Sequence, residues 1–295
     1  MKTYILYNPL AGDGNGAEAS KALLSLYEGE VTQLDITKID DYDALLSGLG
    51  AEDRIVVCGG DGTLNRFANA IEKIDVKCDI WYYATGTGND FLHDLGKKEG
   101  EPPVLVNDYL KDLPVVEVGG ERHRFINGIG FGIDGYCCEV GDRLKAESKK
   151  PNYTAIAIKG LLFHYKPTNA TVTVDGKSYS YKKVWIAATM KGRYYGGGMM
   201  TAPDRDRASG KDDVTLVVMY GKGKLKTLMV YPTIFKGEHV NHTEMVAVHT
   251  GKEISVTFDR PTALQIDGET VLNVTNYKVT AGVPASVSAA EPATV

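Results

Sequence analysis

Residues 54–68 read RIVVCGGDGTLNRFA. The run from Arg54 to Cys58 is short, apolar and rich in β-branched side chains, which is typical of a buried parallel strand. The glycine-rich loop Gly59–Thr63 follows, and the spacing of one helix face then recurs through Leu64, Phe67, Ala68 and Ile71. The stretch therefore predicts a strand, a tight loop at the carboxyl end of that strand and a helix, as in the repeating unit of a parallel α/β sheet.

The same alternation of strand and helix extends over the first hundred residues. The patterns predict strands at residues 4–7, 31–37, 54–58 and 80–84 and helices at residues 19–26, 44–49 and 64–74. A βαβαβαβ order places successive strands in a parallel sheet with helices packed on its faces. We therefore expect an N-terminal three-layer parallel α/β domain.

The pattern changes near Pro114, beyond which short alternating runs dominate. The dipeptides Asp175-Gly176 and Asp267-Gly268 separate such runs and are typical of hairpin turns. We expect strands at residues 115–118, 122–126, 246–248, 254–258, 263–266, 271–274 and 277–281 and helices at residues 136–146, 153–165 and 225–236. The chain thus divides into an α/β domain, residues 1–114, and a β-sandwich domain, residues 115–295, and we expect a cleft between them.

The composition excludes some classes of function. The 295 residues include 33 Lys and Arg against 38 Asp and Glu, a formal net charge of −5. That balance argues against nucleic acid as the main partner, because phosphate backbones favour basic proteins. No apolar run of about 18 residues occurs and the start of the chain does not resemble a signal peptide, so a cytoplasmic protein is expected.

Three glycine-rich loops follow three of the predicted parallel strands. They are Asn8–Gly16, Gly59–Thr63 and Gly86–Phe91. Glycine lets backbone N–H groups approach an anion closely, and a helix N-terminus adds partial positive charge. One such loop alone is more often a tight turn, but three at one edge of a sheet predict a nucleotide-binding domain.

Two acidic residues, Asp61 and Asp90, lie in these loops beside Thr63 and Thr87. The threonines can cap helices or donate to a phosphate. A carboxylate beside an anionic ligand has two interpretations. Either Mg²⁺ lies between them, or the carboxylate holds the loop by accepting backbone N–H bonds.

Residues 59–65, GGDGTLN, and residues 86–91, GTGNDF, after the opening Asn8-Pro9-x-x-Gly12, resemble the diacylglycerol kinase catalytic domain superfamily, and among its members the soluble bacterial lipid kinases. The first motif also occurs in NAD kinases and phosphofructokinases, whereas the second favours the lipid and sphingoid kinase branch. The resemblance extends over most of the chain, through residues 131–134 (FGID), 202–203 (AP), 212–216 (DDVTL) and 265–269 (QIDGE).

The resemblance implies an ATP-dependent, Mg²⁺-dependent lipid kinase. Asp267 would be the general base facing the acceptor hydroxyl, with Glu269 supporting it. Asp61 would be tied to the network of metal and ATP phosphates, and Asp134 would help a Mg²⁺–Asp–water network. Asp212 or Asp213 would match a structural Mg²⁺ position. The nucleotide would be bound by Asn8, Pro9, Gly12, Gly59, Gly60, Gly62, Thr63, Thr87, Asn89 and Asp90. Without the resemblance, Asp267-Gly268 is equally well explained as a plain hairpin turn.

The implied partners are a lipid substrate with a free hydroxyl, such as diacylglycerol, and a membrane contacted peripherally during catalysis; no nucleic acid is expected. The resemblance also suggests a homodimer. A local basic face, or only solvated surface, is formed by Lys149, Lys150, Lys159, Lys182 and Lys183. We hypothesise that the glycine-rich segment 194–200 borders the lipid pocket, although it could equally be a loop packed on the sandwich.

The sequence departs from the family pattern at three places and leaves other functions open. Ala84, Asp13 and Val214 stand where the family has proline, a basic residue and glycine. An NAD kinase or other small-molecule kinase shares the first motif, and a non-catalytic nucleotide sensor would fit the missing basic residue. A nicotinamide-binding domain is suggested only by Gly12-x-Gly14-x-x-Ala17 and Asp35.

Overall fold

The computed structural model describes residues 1–282, without the side chain of Asp13. Residues 283–295 of the predicted second domain lie outside this range. The described chain forms two compact units. The first unit comprises Met1–Gly86 and Pro102–Leu113 with Gly282, and the second comprises Thr87–Glu101 and Pro114–Ala281. Residues 87–101 therefore pack with the second unit, whereas the predicted α/β domain included them.

Strands and helices of the described residues are as follows. The strands are β1 (Lys2–Tyr7), β2 (Glu30–Asp35), β3 (Arg54–Gly59), β4 (Asp79–Ala84), β5 (Val104–Leu105), β6 (Val115–Val118), β7 (Glu121–Arg124), β8 (Gly128–Gly132), β9 (Thr168–Val174), β10 (Lys177–Val184), β11 (Ile186–Met190), β12 (Tyr194–Tyr195), β13 (Met199–Met200), β14 (Val214–Met219), β15 (Val246–Gly251), β16 (Glu253–Ile266) and β17 (Glu269–Thr280). The helices are α1 (Ala11–Gly14), α2 (Gly16–Lys21), α3 (Tyr42–Leu46), α4 (Asp61–Ala70), α5 (Asp90–Asp94), α6 (Asn107–Leu110), α7 (Ile133–Ala146), α8 (Tyr153–Lys159) and α9 (Lys224–Val230). Tighter or wider turns occur at Leu24–Leu26, Ile36–Lys38, Gly160–His164, Arg207–Ser209, Tyr231–Lys236 and Glu238–Asn241.

The first unit is built on one five-stranded sheet in the order β2-β1-β3-β4-β5. Strands β1 to β4 are parallel, and the short edge strand β5 is antiparallel. The predicted α/β fold is confirmed. Strand β2 ends at Asp35, two residues earlier than expected, because the Asp35 carboxylate accepts the Thr37 N–H and starts a 3₁₀ turn. The expected helix at 19–26 continues only to Lys21 and is followed by a separate 3₁₀ turn.

The strand order of the first unit creates a switch point between β1 and β3. The chain leaves β1 toward β2 on one side, and it leaves β3 toward β4 on the other. Because parallel crossovers are right-handed, such a reversal sends the two connections to opposite faces of the sheet. Open α/β sheets bind ligands outside the carboxyl ends of the strands at such a point. The loops after β1 and β3, which carry two of the glycine-rich motifs, therefore flank this place.

The second unit is built on one ten-stranded antiparallel sheet that folds into a sandwich. The order β15-β14-β11-β8-β16-β17-β6-β7 runs along the sheet, with β9 and β10 joined to it through β16. The first half of β16 pairs with β9 and its second half with β8. One apolar core fills the sandwich and includes Phe131, Leu216, Val256, Phe258, Leu264 and Tyr277. The predicted β-sandwich is confirmed.

Four expected strands prove to be the halves of two long ones. Residues 254–258 and 263–266 both lie in β16, and residues 271–274 and most of 277–281 lie in β17. The register between the two strands shifts between Thr257 and Leu264. Pro261, which lacks an N–H donor, falls at this irregularity, where a β-bulge tolerates proline. The sequence break that suggested a turn is therefore a bend within one strand.

Helices cover the outer side of the sandwich and create a second core. Helices α7, α8 and α9 contribute Ile133, Ile156 and Val230 to it. Strand β11 serves both cores, because Ala187 faces the sandwich interior while Ile186 and Ala188 face the helices. The helices were expected at about these positions, and the two later ones end in a π turn and a 3₁₀ turn.

Candidate active site

The first unit brings loops together at the carboxyl ends of β1, β3 and β4. The Asn8 amide donates to the Cys58 carbonyl at 3.0 Å, and the Thr85 amide donates to the Gly59 carbonyl at 2.9 Å. A Cβ atom on Gly12, whose φ is +58°, would lie 2.5 Å from the Thr85 carbonyl oxygen. The three loops are therefore in backbone contact, and glycine is required where the first meets the third.

A side-chain hydrogen bond ties the first loop to the second. The Asn8 Nδ2 donates to Thr63 Oγ1 at 2.8 Å, and the Asn8 Oδ1 accepts the Leu10 N–H at 3.0 Å. Gly59 lies directly against this pair, because a Cβ atom there would be 2.4 Å from Thr63 Cβ and 2.5 Å from its Oγ1. The predicted nucleotide residues Asn8, Gly59 and Thr63 thus form one tightly packed group.

The second loop opens into the N-terminus of α4. Gly60 precedes the helix in extended conformation and Asp61 is its first residue. The first N–H groups of a helix lack intrahelical acceptors and carry partial positive charge, so they suit a phosphate. Nearby in the third loop, the buried Thr85 Oγ1 has no hydrogen-bond partner among the described residues. Backbone donors and small polar side chains therefore dominate this edge. The remaining predicted residues here, Pro9 and Gly62, are half-buried.

Three residues of the predicted nucleotide site belong to the second unit. Thr87 is exposed, whereas Asn89 is buried and left-handed, with φ +49°, immediately before α5. The Asp90 carboxylate accepts N–H bonds from Gly197 at 2.8 Å and from Gly198 at 2.7 Å. Asp90 therefore holds a turn more than 100 positions later in the chain through backbone hydrogen bonds.

The loop held by Asp90 is the glycine-rich segment 194–200. It forms the β12–β13 hairpin, and its glycine turn has positive φ throughout. On the same hairpin the Tyr195 hydroxyl donates to the carboxylate of Asp134, the second residue of α7. Burial raises the pKa of Asp134 to about 6, and the hydrogen bond from Tyr195 opposes that rise. One hairpin thus contacts both Asp90 and Asp134.

Asp134 is connected to the turn between β16 and β17 through Gln265 and Gly130. These two residues face each other across β16 and β8. A Cβ atom on Gly130 would lie 2.8 Å from Asp134 Cβ and 2.9 Å from Gln265 Nε2. The Gln265 Oε1 accepts the Gly268 N–H at 2.8 Å. Only glycine at position 130 leaves room for this arrangement.

Asp267 occupies the first position of that turn, with φ +44°, and Gly268 follows with φ +93°. Two positive φ values in an Asp-Gly pair are typical of a type I′ hairpin turn. The Asp267 carboxylate accepts three backbone N–H bonds, from Ile126 at 2.6 Å and from Asn127 and Gly128 at 3.0 Å. The side chain is therefore fixed in position by the segment that precedes β8. Glu269, which opens β17, is exposed.

A buried arginine holds the same segment from its other side. Arg207 donates to the Ile126 carbonyl and to Asn127 Oδ1, and it forms an ion pair of 2.7 Å with Asp94. Its guanidinium also lies over the Phe91 ring at 4.8 Å. Asp94 is fully buried and receives a second ion pair, from Arg193 at 2.8 Å. The end of α5 is thereby joined to the backbone that positions Asp267.

The expected structural metal position at Asp212 and Asp213 is an ion pair instead. Arg205, largely buried, binds Asp213 Oδ1 at 2.6 Å and the Asp213 carbonyl at 2.8 Å. It also donates to the Lys191 carbonyl at 3.1 Å. Asp212 is exposed. A guanidinium among these oxygens repels a divalent ion, and no cluster of three metal-ligating residues occurs within residues 1–282, so this place does not fit Mg²⁺.

Sequence patterns gave no indication of Asp94, Arg205 or Arg207. Tyr195 lies in the segment expected to border the lipid pocket, but its hydrogen bond to Asp134 was not expected. Arg193 lies 99 positions and Arg207 lies 113 positions after their shared partner Asp94, whereas Arg205 binds Asp213 only eight positions away. Spacing within one element can reveal a helix face but not a contact across the fold. A paired buried charge has no signature of its own in a single sequence.

Comparison with known proteins matches two successive parts of the chain to two domain families. Residues 2–116 match the diacylglycerol kinase catalytic domain, and residues 127–288 match the YegS C-terminal NAD kinase beta sandwich-like domain. The chain belongs to the diacylglycerol kinase family. The resemblance carried by residues 59–65 and 86–91 is thus confirmed. Membership identifies a kinase of the lipid kinase group, for which ATP is the phosphate donor.

Individual relatives support the same family. A diacylglycerol kinase of Mycobacterium tuberculosis is 27% identical over 256 residues, covering 83% of this chain and 81% of the relative. A diacylglycerol kinase of Bacillus subtilis is 24% identical over 277 residues, covering 90% and 88%. A crystal structure of a diacylglycerol kinase from Bacillus anthracis superposes with a TM-score of 0.58 at 16% identity, covering 95% of this chain and 94% of that one. That likeness confirms the fold of this diacylglycerol kinase family member.

None of the helices within residues 1–282 has the length and apolarity needed to cross a membrane.

Proposed function

We propose that the chain transfers the γ-phosphoryl group of ATP to the free hydroxyl of a diacylglycerol-like lipid. The observation that carries the proposal is the meeting of glycine loops at the switch point between β1 and β3, in a chain of the diacylglycerol kinase family. Such loops favour a polyphosphate over other ligands, because they offer backbone N–H groups and no side-chain bulk.

In this proposal the first unit binds the phosphates of ATP. Asn8, Thr63 and the start of α4 provide amide, hydroxyl and backbone donors. Mg²⁺ arrives with ATP as part of the substrate, and when bound it neutralises charge on the phosphates. Asp61, as the first residue of α4, is the acidic group closest to these donors along the chain. Its proposed role is to orient the Mg·ATP substrate.

Asp267 is the proposed general base. The lipid hydroxyl oxygen attacks the γ-phosphorus, the bond to the β–γ bridging oxygen breaks, and ADP leaves. The proton of the hydroxyl passes to the Asp267 carboxylate late in the reaction, as phosphoryl transfer is largely dissociative. Three backbone donors from residues 126–128 fix the orientation of that carboxylate. Asp134, bonded to Tyr195 and adjoining Gln265, is proposed to support the same turn rather than to touch the substrate.

The chain contains a matched control for Asp267. Asp175 also begins an Asp-Gly turn, with φ +45°, and its carboxylate accepts N–H bonds from Lys252 at 2.9 Å and Glu253 at 2.8 Å. Both turns close antiparallel hairpins of the second unit. The two aspartates thus share a structural role, and we assign chemistry to Asp267 alone.

The test compares Asp267→Asn with Asp175→Asn in a labelled-ATP transfer assay. The acceptors are hydroxyl lipids in mixed micelles, with NAD included as a competing acceptor. We expect Asp267→Asn to lower kcat by at least about 100-fold with little change in KM for ATP, because a general base contributes about that much. Asp175→Asn should match the wild type in kcat. Equal losses of kcat in the two variants would show that Asp267 acts only as a turn residue. Transfer of the label to NAD instead of lipid would show that NAD is the acceptor.

A further inference from the structure

Gln265 is a buried amide of which the fold uses only one end. The residue lies in the second half of β16 and is 3% exposed, and its Oε1 accepts the Gly268 N–H at 2.8 Å. Because that partner is a donor, the atom facing it must be the oxygen, which fixes the orientation of the amide. Within residues 1–282, no acceptor is bonded to the Nε2 at the other end. The side chain therefore keeps two N–H donors that the fold does not use.

The surroundings of Nε2 offer it no acceptor. Gly130, which pairs with Gln265 across β8, has no side chain, and a Cβ atom there would lie 2.9 Å from Nε2. The Asp134 carboxylate adjoins the same glycine, but it accepts the Tyr195 hydroxyl. An N–H group with little access to water and without an acceptor costs free energy. A ligand atom that accepts a hydrogen bond would remove this cost.

Gln265 lies close to the proposed general base along the same strand. Leu264 and Ile266 belong to the sandwich core, so Gln265 between them lies on the opposite face of β16. The Asp267 N–H donates to the Gly128 carbonyl at 3.1 Å, which extends the pairing of β16 with β8 by one position. Positions 265 and 267 are about 6.6 Å apart along an extended strand. One acceptor molecule can span that separation.

We propose that Gln265 is a specificity residue of the acceptor site, whose Nε2 donates to an ester carbonyl oxygen next to the reacting hydroxyl. This inference rests on the proposed function, in which Asp267 receives the hydroxyl proton. The hydroxyl oxygen is a poor partner for Nε2, because donation to it would withdraw electron density from the nucleophile. A diacylglycerol carries an ester on the carbon next to the one that bears the hydroxyl. A sphingoid base carries an ammonium group there, which would place donor against donor.

The test measures acceptor binding by calorimetry, without ATP, with two soluble probes. One is dihexanoylglycerol, esterified on two adjacent carbons, and the other is its analogue with a hexyl ether on the middle carbon. The two differ only in one carbonyl, which the ether replaces by a methylene group, and both are used below the concentration at which they form micelles. We expect the wild type to bind the diester about tenfold more tightly than the ether, because the ether leaves Nε2 without an acceptor.

Gln265→Met should remove that preference. Methionine has a similar length, but its thioether has no N–H and is only a weak acceptor. Loss of the bond to Gly268 would weaken the binding of both probes by the same factor, whereas loss of the proposed contact weakens the diester alone. The variant should therefore bind the two probes with equal Kd, and this cycle isolates the contact from the support of the turn.

The matched control is the other glutamine of the chain. Gln33 also lies in a strand, but its Nε2 already donates to Ser20 Oγ at 3.0 Å. Gln33→Met should keep the wild-type ratio of Kd values for the two probes. Thermal unfolding checks that both variants remain folded.

A measurement on the unaltered protein keeps the test decisive if Gln265→Met does not fold. The carbonyl of the middle ester is labelled isotopically and followed by infrared spectroscopy. Its band should move to lower frequency on binding, because a hydrogen bond weakens the C=O bond. The same label in the other ester is the internal control.

Each outcome supports or overturns the assignment. Equal Kd values for the two probes in the wild type overturn it, as does an equal loss of affinity for both in Gln265→Met, an unshifted carbonyl band or the absence of binding. Transfer of label from ATP to dihexanoylglycerol tests the kinase separately. A kinase without preference for the diester would uphold the proposed function and reject the role of Gln265. A chain that phosphorylates neither probe, but binds the diester preferentially through Gln265, would uphold the contact and reject the phosphoryl transfer.

Discussion

The two units position their predicted site residues by different means. In the first unit the loops after β1, β3 and β4 meet through backbone atoms and glycines, and one side-chain bond, from Asn8 to Thr63, links two of them. In the second unit Asp90 and Asp267 also accept backbone N–H bonds. Side chains, however, hold Asp134 through Tyr195 and Asp213 through Arg205. The segment that fixes Asp267 is itself held by Arg207, which is paired with the buried Asp94. A site made of backbone depends on a few glycines, whereas a site made of side chains depends on buried charge.

This difference predicts where each unit is vulnerable. Backbone contact tolerates no added atom, so a single methyl group at a glycine should be severe. A buried side-chain network tolerates a change of side-chain shape better than it tolerates the loss of a charge or of a hydrogen bond. The reason is that an unpaired buried charge costs several kcal/mol. The experiments below test this contrast, from the largest expected effect to the smallest.

Gly59→Ala should produce the largest loss. The new methyl group would lie 2.4 Å from Thr63 Cβ, so Thr63 must move and its hydrogen bond from Asn8 must break. We expect KM for ATP to rise on the order of 100-fold, since displacements of about 1 Å have that effect. Gly48→Ala, at a glycine with open space around it, should leave KM for ATP unchanged. A Gly59→Ala enzyme with the wild-type KM would show that the loops adapt.

The same difference explains how much the sequence could reveal. Strand–loop–helix patterns such as residues 54–68 are local, so β3, its glycine loop and α4 were predictable to within a few residues. The hairpin turn at Asp267-Gly268 was predictable for the same reason. The three backbone donors to the Asp267 carboxylate come from about 140 residues earlier in the chain, and no local pattern contains them.

Arg207→Lys should disturb the second unit. Lysine keeps the charge but cannot bond to Asp94, the Ile126 carbonyl and Asn127 Oδ1 at once, because it lacks the planar fork of donors. We expect the free energy of unfolding to fall by about 3 kcal/mol, measured in urea. We also expect kcat to fall on the order of tenfold at constant KM for ATP, because residues 126–128 position Asp267.

Arg193→Lys is the matched control for that change. Arg193 bonds to the same Asp94, but a third of its side chain is exposed, against 3% for Arg207. Water can replace part of what is lost, so the free energy of unfolding should fall by about 1 kcal/mol or less. A kcat that falls as far in Arg193→Lys as in Arg207→Lys would mean that Asp94, rather than the segment at 126–128, transmits the effect.

Asp134→Asn should stabilise the protein at high pH. Burial raises the pKa of Asp134 from 3.8 to about 6, so the folded state favours the protonated carboxyl. The associated stability is present below about pH 4 and is lost as the pH rises through 6, because ionising the buried group then costs about 3 kcal/mol. The neutral amide avoids that cost and still accepts the Tyr195 hydroxyl. Urea unfolding should therefore find the variant more stable at pH 8 and the difference absent at pH 4.

Glu139→Gln provides the comparison on the same helix. Glu139 is exposed on α7. Its replacement should shift stability equally little at pH 4 and at pH 8. If Asp134→Asn showed the same flat profile, the carboxyl of Asp134 would be ionised in the fold without penalty, and a cation near it would be required.

Removal of divalent metal ions with EDTA should have the smallest effect, because we expect no change in the stability of the protein. A structural Mg²⁺ at Asp212 and Asp213 would make the nucleotide-free protein lose stability in EDTA. The guanidinium of Arg205 instead satisfies the Asp213 carboxylate and the carbonyls of Asp213 and Lys191, and it is retained by a covalent side chain. We therefore expect Tm to change by less than about 1 °C between EDTA and Mg²⁺, whereas Arg205→Met should lower the free energy of unfolding by about 3 kcal/mol. A fall of Tm in EDTA that Mg²⁺ reverses would show that a metal ion replaces the Arg205 guanidinium at the Asp213 carboxylate. The buried positive charge in this part of the second unit would then come from a bound ion and not from a side chain.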